Sequence, residues 1–220
     1  MAQILITGTN QGIGLELAKQ YKSRGDAVIA VCRTASQELR DSGVEIIENV
    51  DVTDDASVTK LVGAVGDRKI DMLINNAGIL TRESFDDLDF DRMRLQYEVN
   101  TLGPLRVTKA LSDQLADGGK VGIVTSRVGS MEDNGSGGNY GYRMSKAAAN
   151  MAGVNLAHDF KARNIAVGLL HPGYVRTNMT GGSGGIEPQV AASGLIERMD
   201  ALSMASTGTF WHAEGYALPW

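Results

Sequence analysis

Gln3-Ile4-Leu5-Ile6-Thr7-Gly8-Thr9-Asn10-Gln11-Gly12-Ile13-Gly14-Leu15-Glu16-Leu17-Ala18 is the stretch on which the fold turns: a short apolar run, a glycine turn, then a segment with helical periodicity. Glycines permit a tight turn and a close approach of backbone, and the free N–H groups opening the following helix favour an anion such as a pyrophosphate. The spacing differs from G-x-G-x-x-G, and a tight strand-to-helix turn without a ligand has the same outline. The rest of the chain therefore has to decide.

Outward from this stretch, apolar runs alternate with helical segments. Strands are predicted over Gln3 to Ile6, Ala27 to Val31, Val44 to Val50, Met72 to Ile74, Val121 to Val124, Ile165 to Leu170 and Gly208 to Trp211. Several are apolar throughout, as strands covered on both faces by helices are. This is the pattern of βαβ units and predicts an α/β fold with a doubly wound parallel sheet. The 220 residues, 43% hydrophobic and 21% charged, suit a single domain over 1–220. A substrate loop is expected around 174–190, and its patch Gly181-Gly182-Ser183-Gly184-Gly185 reads as a mobile segment.

The net charge of −5 and the absence of a basic stripe argue against nucleic acid. No apolar stretch approaches a membrane span or a signal sequence, so a cytoplasmic protein is expected. Cys32 is the one cysteine, and His158, His171 and His212 are scattered, so no metal is expected.

Three further features carry chemistry. Residues Val28 to Gln37 contain no acid that could accept from a ribose diol, whereas Arg33 offers a guanidinium at the second strand's end. That favours a 2′-phosphate and hence NADP, the alternative being a solvated surface arginine. Tyr142 and Lys146 stand four apart in an Ala-rich helical segment, where the ammonium is expected to lower the tyrosine pKa and make it a general acid or base. Ser126 ends an apolar strand and can hold a carbonyl; Ser130, four residues further on, is the less rigid candidate. Asn100 lies in a helix predicted from about Asp89 to Leu115. Pro104 cannot donate to the Asn100 carbonyl, so a kink is expected that either frees this carbonyl for a water or merely wraps the helix around the sheet.

Taken together, Thr7-Gly8-(three residues)-Gly12-Ile13-Gly14, Asp51-Val52, Asn75-Asn76-Ala77-Gly78, Asn100, Ser126, Tyr142-(three residues)-Lys146 and Pro172-Gly173 with Thr177 resemble the short-chain dehydrogenase/reductase superfamily over about Gln3 to Thr177. The resemblance implies a Rossmann-type domain with catalytic Asn100, Ser126, Tyr142 and Lys146, Lys146 also bonding the nicotinamide ribose. It implies cofactor contacts from Gly8, Asn10, Gln11 and Ile13 in the turn, Arg33, adenine contacts from Asp51 and Val52, a wall of Asn76, Ala77 and Gly78, and Pro172, Gly173, Val175 and Thr177 near the carboxamide. The run Ser126 to Ser130, the Met131 to Gly141 connection and the Gly208 to Trp220 ending are similar to the sniffer-type carbonyl reductase and C-factor-like branch. The expected activity is NADPH-dependent reduction of a small carbonyl compound with pro-S hydride transfer.

Other readings compete. Gly181 to Gly185 formally matches G-x-S-x-G but lacks the strand before and helix after that a nucleophile elbow needs. A nucleotide sensor or signalling protein without turnover would keep the fold, although four retained catalytic groups weigh against it, and a structural module would need none of them. Small residues Ala147, Ala148, Ala149, Ala152, Gly153 and Ala157, with a helix around Leu105 to Leu115 expected alongside, predict a homodimer or homotetramer.

Overall fold

The computed structural model describes all 220 residues. Seven strands, β1 (Gln3–Thr7), β2 (Ala27–Val31), β3 (Glu45–Ile47), β4 (Ile70–Asn75), β5 (Leu115–Val124), β6 (Ala166–His171) and β7 (Phe210–His212), form one sheet in the order β3-β2-β1-β4-β5-β6-β7. Every pairing is parallel. The direction of strand progression reverses between β1 and β4, and an open α/β sheet has its ligand crevice at such a switch point, beyond the strands' carboxyl ends.

Alternation along β1 divides the core. Ile4 and Ile6 pack with Leu17 and Tyr21 of α1 (Gly12–Ser23) and, further along that face, Leu195 and Met199 of α7 (Pro188–Ala201). Leu5 faces the other layer, with Leu61 of α3 (Asp55–Val65) and Val107 of α5 (Gly103–Ala110). The short α2 (Gln37–Asp41) adds Leu39 to the first layer. Burying a side chain of this size contributes roughly 1.5–3 kcal/mol, so the uniformly apolar strands are explained by helices on both faces.

The helices begin where their sequences supply caps. Asp54 accepts from the Ala56 and Ser57 N–H groups ahead of α3, and Asp89 from Asp91 and Arg92 ahead of α4 (Phe90–Tyr97). The helix expected from Asp89 to Leu115 is broken. Between α4 and α5 lies a π-helical turn, Glu98–Leu102, and α5 ends at Ala110, so that Leu115 already belongs to β5. Pro104 at the start of α5 interrupts the ladder, and Gly103 lets the backbone approach Val52, whose Cγ2 would lie 2.8 Å from an added Cβ.

A 20-residue helix, α6 (Tyr140–Asp159), crosses the second layer, with Gly153 set so close to β6 that an added Cβ would lie 2.3 Å from Leu169 Cδ2. Its main neighbours are α4, the short turn Arg127–Gly129 and the π turn. The kinked helix lies beside α6 mainly through α4 and the π turn, while α5 packs chiefly on α3, with Val107 and Leu111 sharing a core cluster with Ala157 of α6. No helix is long and apolar enough to cross a membrane.

Candidate active site

The turn after β1 is held by the end of β4. Thr7 Oγ1 accepts from the Asn76 and Ala77 N–H groups, both at 3.1 Å, while Asn76 Nδ2 donates to the Thr7 and Gly8 carbonyls at 3.0 and 3.1 Å. Gly8 has φ +72°, and an added Cβ would lie 2.7 Å from Ala77 Cα; one on Gly14 would lie 2.2 Å from the Gly8 oxygen. Gln11 precedes α1 without any side-chain cap, which leaves the first N–H groups of the helix available to an anion.

Above this turn lies a cleft of about 630 Å³. Of the residues expected to touch a cofactor, Gly8, Asn10, Gln11, Ile13, Arg33, Asp51, Val52, Asn76, Ala77, Gly78, Tyr142, Lys146, Pro172 and Thr177 line it. The groups fit a dinucleotide: a glycine turn at a helix N-terminus, a guanidinium on the rim, and the buried Asn10 Oδ1, which has no partner within the chain. Gly173 and Val175 do not line the cleft. Gly173 has φ +89° and lies under Ile186, while Val175 is buried and forms a bridge with Ile186.

Burial works upward on the Asp51 carboxyl, but the Thr53 N–H and hydroxyl, with Arg33 and Arg106 nearby, outweigh it and hold Asp51 below the usual range. Arg33 is exposed at the cleft rim. Glu48, an acid on the facing segment, is engaged elsewhere, accepting from the Ala35 N–H at 2.7 Å and from Arg40.

Tyr142 is the third residue of α6, and Lys146 lies one turn on with its Nζ 5.7 Å from the Tyr142 ring centroid. The Lys146 ammonium donates to the Val124 carbonyl at 2.9 Å and faces no carboxylate; burial pushes it down to about 8. The tyrosine departs from expectation. Burial pushes Tyr142 up to about 12, opposed only by the nearby Ser126 side chain. Burial outweighs the pull of the ammonium, whose Nζ turns toward the strand carbonyl rather than the phenol.

Ser126 is buried just beyond β5 and near Tyr142, its Oγ accepting from the Val128 N–H at 3.4 Å, whereas Ser130 Oγ accepts from the Asp133 N–H at 3.0 Å and is committed to its own loop. Asn100 sits in the π turn, its Oδ1 accepting from the Ile79 N–H at 2.8 Å and its Nδ2 donating to the Ile79 carbonyl at 2.9 Å and to Ser145 Oγ at 3.0 Å. A Cβ on Gly78 would lie 3.2 Å from Asn100 Oδ1 and 3.7 Å from Lys146 Nζ, so the structure brings the asparagine, the lysine and the cleft wall together.

Backbone hydrogen bonds pin the glycine-rich segment at several points. The Gly182 N–H donates to the Thr177 carbonyl at 2.9 Å and the Gly185 N–H to the Tyr174 carbonyl at 3.0 Å, while the Arg176 N–H donates to the Ile186 carbonyl at 2.8 Å. Gly184 packs against backbone, an added Cβ lying 2.5 Å from the Arg176 nitrogen. Of the glycines here only Gly184 serves a close approach, while Gly181 and Gly182 serve positive φ angles of 65° and 76°.

Sequence reasoning missed a buried polar cluster beside α6. Glu83 accepts from the Thr81 hydroxyl, from Gln96 Nε2 at 3.1 Å and from the Gly141 N–H at 3.3 Å. Glu83 stands among Asp86, Asp87 and Asp89 in an acidic stretch that reads as a solvated face, and no periodicity marks it.

With this geometry in view, comparison with known proteins is decisive for the family. The short chain dehydrogenase family profile matches residues 2–185. The 1-hydroxy-2-glutathionyl-2-methyl-3-butene dehydrogenase of Rhodococcus sp. (strain AD45) is 42% identical over 226 aligned positions, covering 100% of both chains. Among solved structures, the NADPH-bound carbonyl reductase from chicken fatty liver superposes with a TM-score of 0.93 at 27% identity, over 100% of this chain and 99% of that one. The carbonyl reductase Sniffer of D. melanogaster gives 0.93 at 28% identity, over 100% of both. Nicotinamide dinucleotides are the cofactors of this group, and the avian neighbour carries NADPH. The turn held by Asn76, the tyrosine and lysine one turn apart on α6, and these matches over the whole chain assign this protein to the short-chain dehydrogenase/reductase family, beside the sniffer-type carbonyl reductases.

Proposed function

We propose that the chain is an NADP(H)-dependent carbonyl reductase that converts an aldehyde or ketone to its alcohol. The observation that carries this reading is Tyr142, half-buried in the wall of the dinucleotide cleft, near Ser126 and one helical turn from Lys146. Bound NADPH supplies the hydride that adds to the carbonyl carbon. Ser126 and the Tyr142 hydroxyl hold the carbonyl oxygen between them, and Tyr142 transfers its proton to that oxygen as negative charge develops there. A phenol held near 12 keeps its proton at neutral pH and therefore enters the reaction as an acid. Lys146, charged below about 8, stabilises the phenolate left behind. The Asn100 amide, bonded to both backbone groups of Ile79, keeps the wall beside Lys146 in register. The Rhodococcus relative is named for oxidising an alcohol, which is the same hydride step reversed.

Preference for NADP rests on Arg33 at the rim and on Glu48 being tied to Ala35 and Arg40 instead of offered to a ribose. Assembly as a homodimer is supported by the partly exposed apolar side chains on the neighbouring helices α4 and α6, namely Leu95, Tyr97, Met144 and Met151.

Four measurements test the reading. Tyr142→Phe keeps the ring and removes the proton: NADPH binding is expected to stay within about twofold while reduction of a carbonyl panel drops about 10²–10⁴-fold, and wild-type turnover would reject the mechanism. The rate of reduction is expected to hold below pH 8 and to decline as pH rises through the Lys146 value of about 8; a profile flat to pH 10 would remove the lysine charge from the mechanism. Arg33→Asp is expected to shift the ratio of kcat/KM for NADPH over NADH downward at least tenfold, and an unchanged ratio would make Arg33 a bystander. Light scattering is expected to give twice the monomer mass at micromolar protein; a monomer at all concentrations would refute the dimer alone.

A further inference from the structure

The catalytic helix begins without a cap of its own. Asn139, which precedes α6, adopts a left-handed conformation (φ +47°) and makes no side-chain cap bond, and no acidic residue occupies the first turn. Four N–H groups open any α-helix, and the positive end of its dipole favours a carboxylate there. Across space, a distant loop supplies one. The Gly141 N–H donates to Glu83 Oε2 at 3.3 Å, and the Asn139 N–H donates to the Glu83 carbonyl at 2.9 Å.

Glu83 is only 4% exposed and forms no salt bridge, so its carboxylate depends on neutral donors. Besides Gly141 these are the Thr81 hydroxyl and Gln96 Nε2, and Gln96, fully buried, also accepts from the Thr81 N–H at 3.0 Å. Gly141 completes the fit. An added Cβ there would lie 2.3 Å from Gln96 Nε2 and 2.9 Å from Met93 Cγ, so only a glycine lets the helix start reach this cluster. Three donors converge on one side chain, and a carboxylate alone among side chains of this length accepts all of them without presenting a donor.

Tyr142 follows Gly141 directly. We propose that Glu83 is the positioning residue for Tyr142: its carboxylate, through the Gly141 N–H, caps the first turn of α6 and fixes the tyrosine against the cleft wall. The loop carrying Glu83 leaves that wall at Gly78 and Ile79, which line the cleft, so one segment sets both the wall and the phenol. This inference rests on the reading of Tyr142 as the proton donor. Displacement of such a group by about 1 Å costs on the order of 10²-fold in rate.

Glu83→Gln in the full chain tests it, because the amide is isosteric but turns a donor toward Gly141 or Gln96. The expected result is a kcat for carbonyl reduction lower by about 10- to 100-fold, an NADPH dissociation constant within about twofold of wild type, and faster amide exchange at Gly141 and Tyr142 with exchange from Ala149 to Ala157 unchanged. If Glu83→Gln gives no folded protein, Gln96→Met, which removes one donor to the same carboxylate at similar volume, is read by the same three measurements. A kcat within twofold of wild type overturns the proposal, as does a parallel loss of turnover, cofactor affinity and protection along the whole of α6. If the wild-type chain reduces no carbonyl compound, the assigned reaction fails, and amide exchange in the first turn still decides whether Glu83 holds Tyr142.

Discussion

The side chain of Asn76 and the hydroxyl of Thr7 lock the end of β4 to the end of β1, across the line where strand progression reverses. Four hydrogen bonds within two residues of each strand end fix the glycine turn in one conformation. Each adds only about 0.5–1.5 kcal/mol net, so their larger effect is geometric. With the turn fixed, Gly8 and Gly14 bring α1 against it, its uncapped N-terminus aims at the cleft, and Gly78 falls within contact distance of Asn100 and Lys146. A cleft able to hold a dinucleotide and a place for the reacting groups thus follow from the same constraint.

Dryness does the remaining electrostatic tuning. Lys146, buried, and Tyr142, half-buried, line one cleft, and burial pushes the lysine down to about 8 and the tyrosine up to about 12. Each shift favours the neutral form. The resulting tyrosine is an acid at neutral pH, and the resulting lysine is a cation that gives up its proton more readily than an exposed one. Sequence spacing foretold the pair but misjudged the sign for the tyrosine, because four-residue spacing brings two side chains to one face without saying which acceptor the ammonium chooses. Here the Val124 carbonyl, 2.9 Å away, takes it.

What was legible in the sequence follows a physical rule. The strand runs, the glycine turn, Tyr142 with Lys146 and the strand-end serine were legible because each depends on local spacing and residue type. The interruption at Glu98–Leu102 was only half legible: Pro104 announces a break, but a π turn that sends α5 toward α3 depends on Gly103 meeting Val52, a contact between residues 51 positions apart. For Gly181 to Gly185 composition reports backbone freedom but not the carbonyls of Tyr174 and Thr177 that receive its N–H groups, which tertiary structure alone supplies. Glu83 was invisible because its partners are Gln96 and Gly141, and only tertiary packing turns a charge in an acidic stretch into a buried acceptor.

The two sides of the site differ in how firmly they are held. On the helix side, Ser145 is bonded by Asn100 Nδ2 at 3.0 Å and its carbonyl by Thr101 Oγ1 at 2.8 Å, Gly153 rests on Leu169, and Arg143 bonds the Gly137, Gly138 and Val128 carbonyls. Those of Ser145 and Gly153 are buried, those of Arg143 lie nearer the surface, and together they hold α6 at several points. On the loop side, the base of 174–187 is closed by backbone pairing between Val175 and Ile186, but its outer fastening is the Arg176–Glu187 pair, in which both side chains are 52% exposed. Exposed pairs of this kind contribute about 0–1 kcal/mol, and Tyr174 and Met179 on the same segment remain exposed. One further bond, from Asn178 Nδ2 to Gln11 Oε1 at 2.7 Å, joins the loop to the phosphate turn across the cleft mouth. On the proposed mechanism, proton transfer would draw on the firmly held side, and the loop side, tethered to the glycine turn through Gln11, would be where differences in substrate shape meet the least resistance.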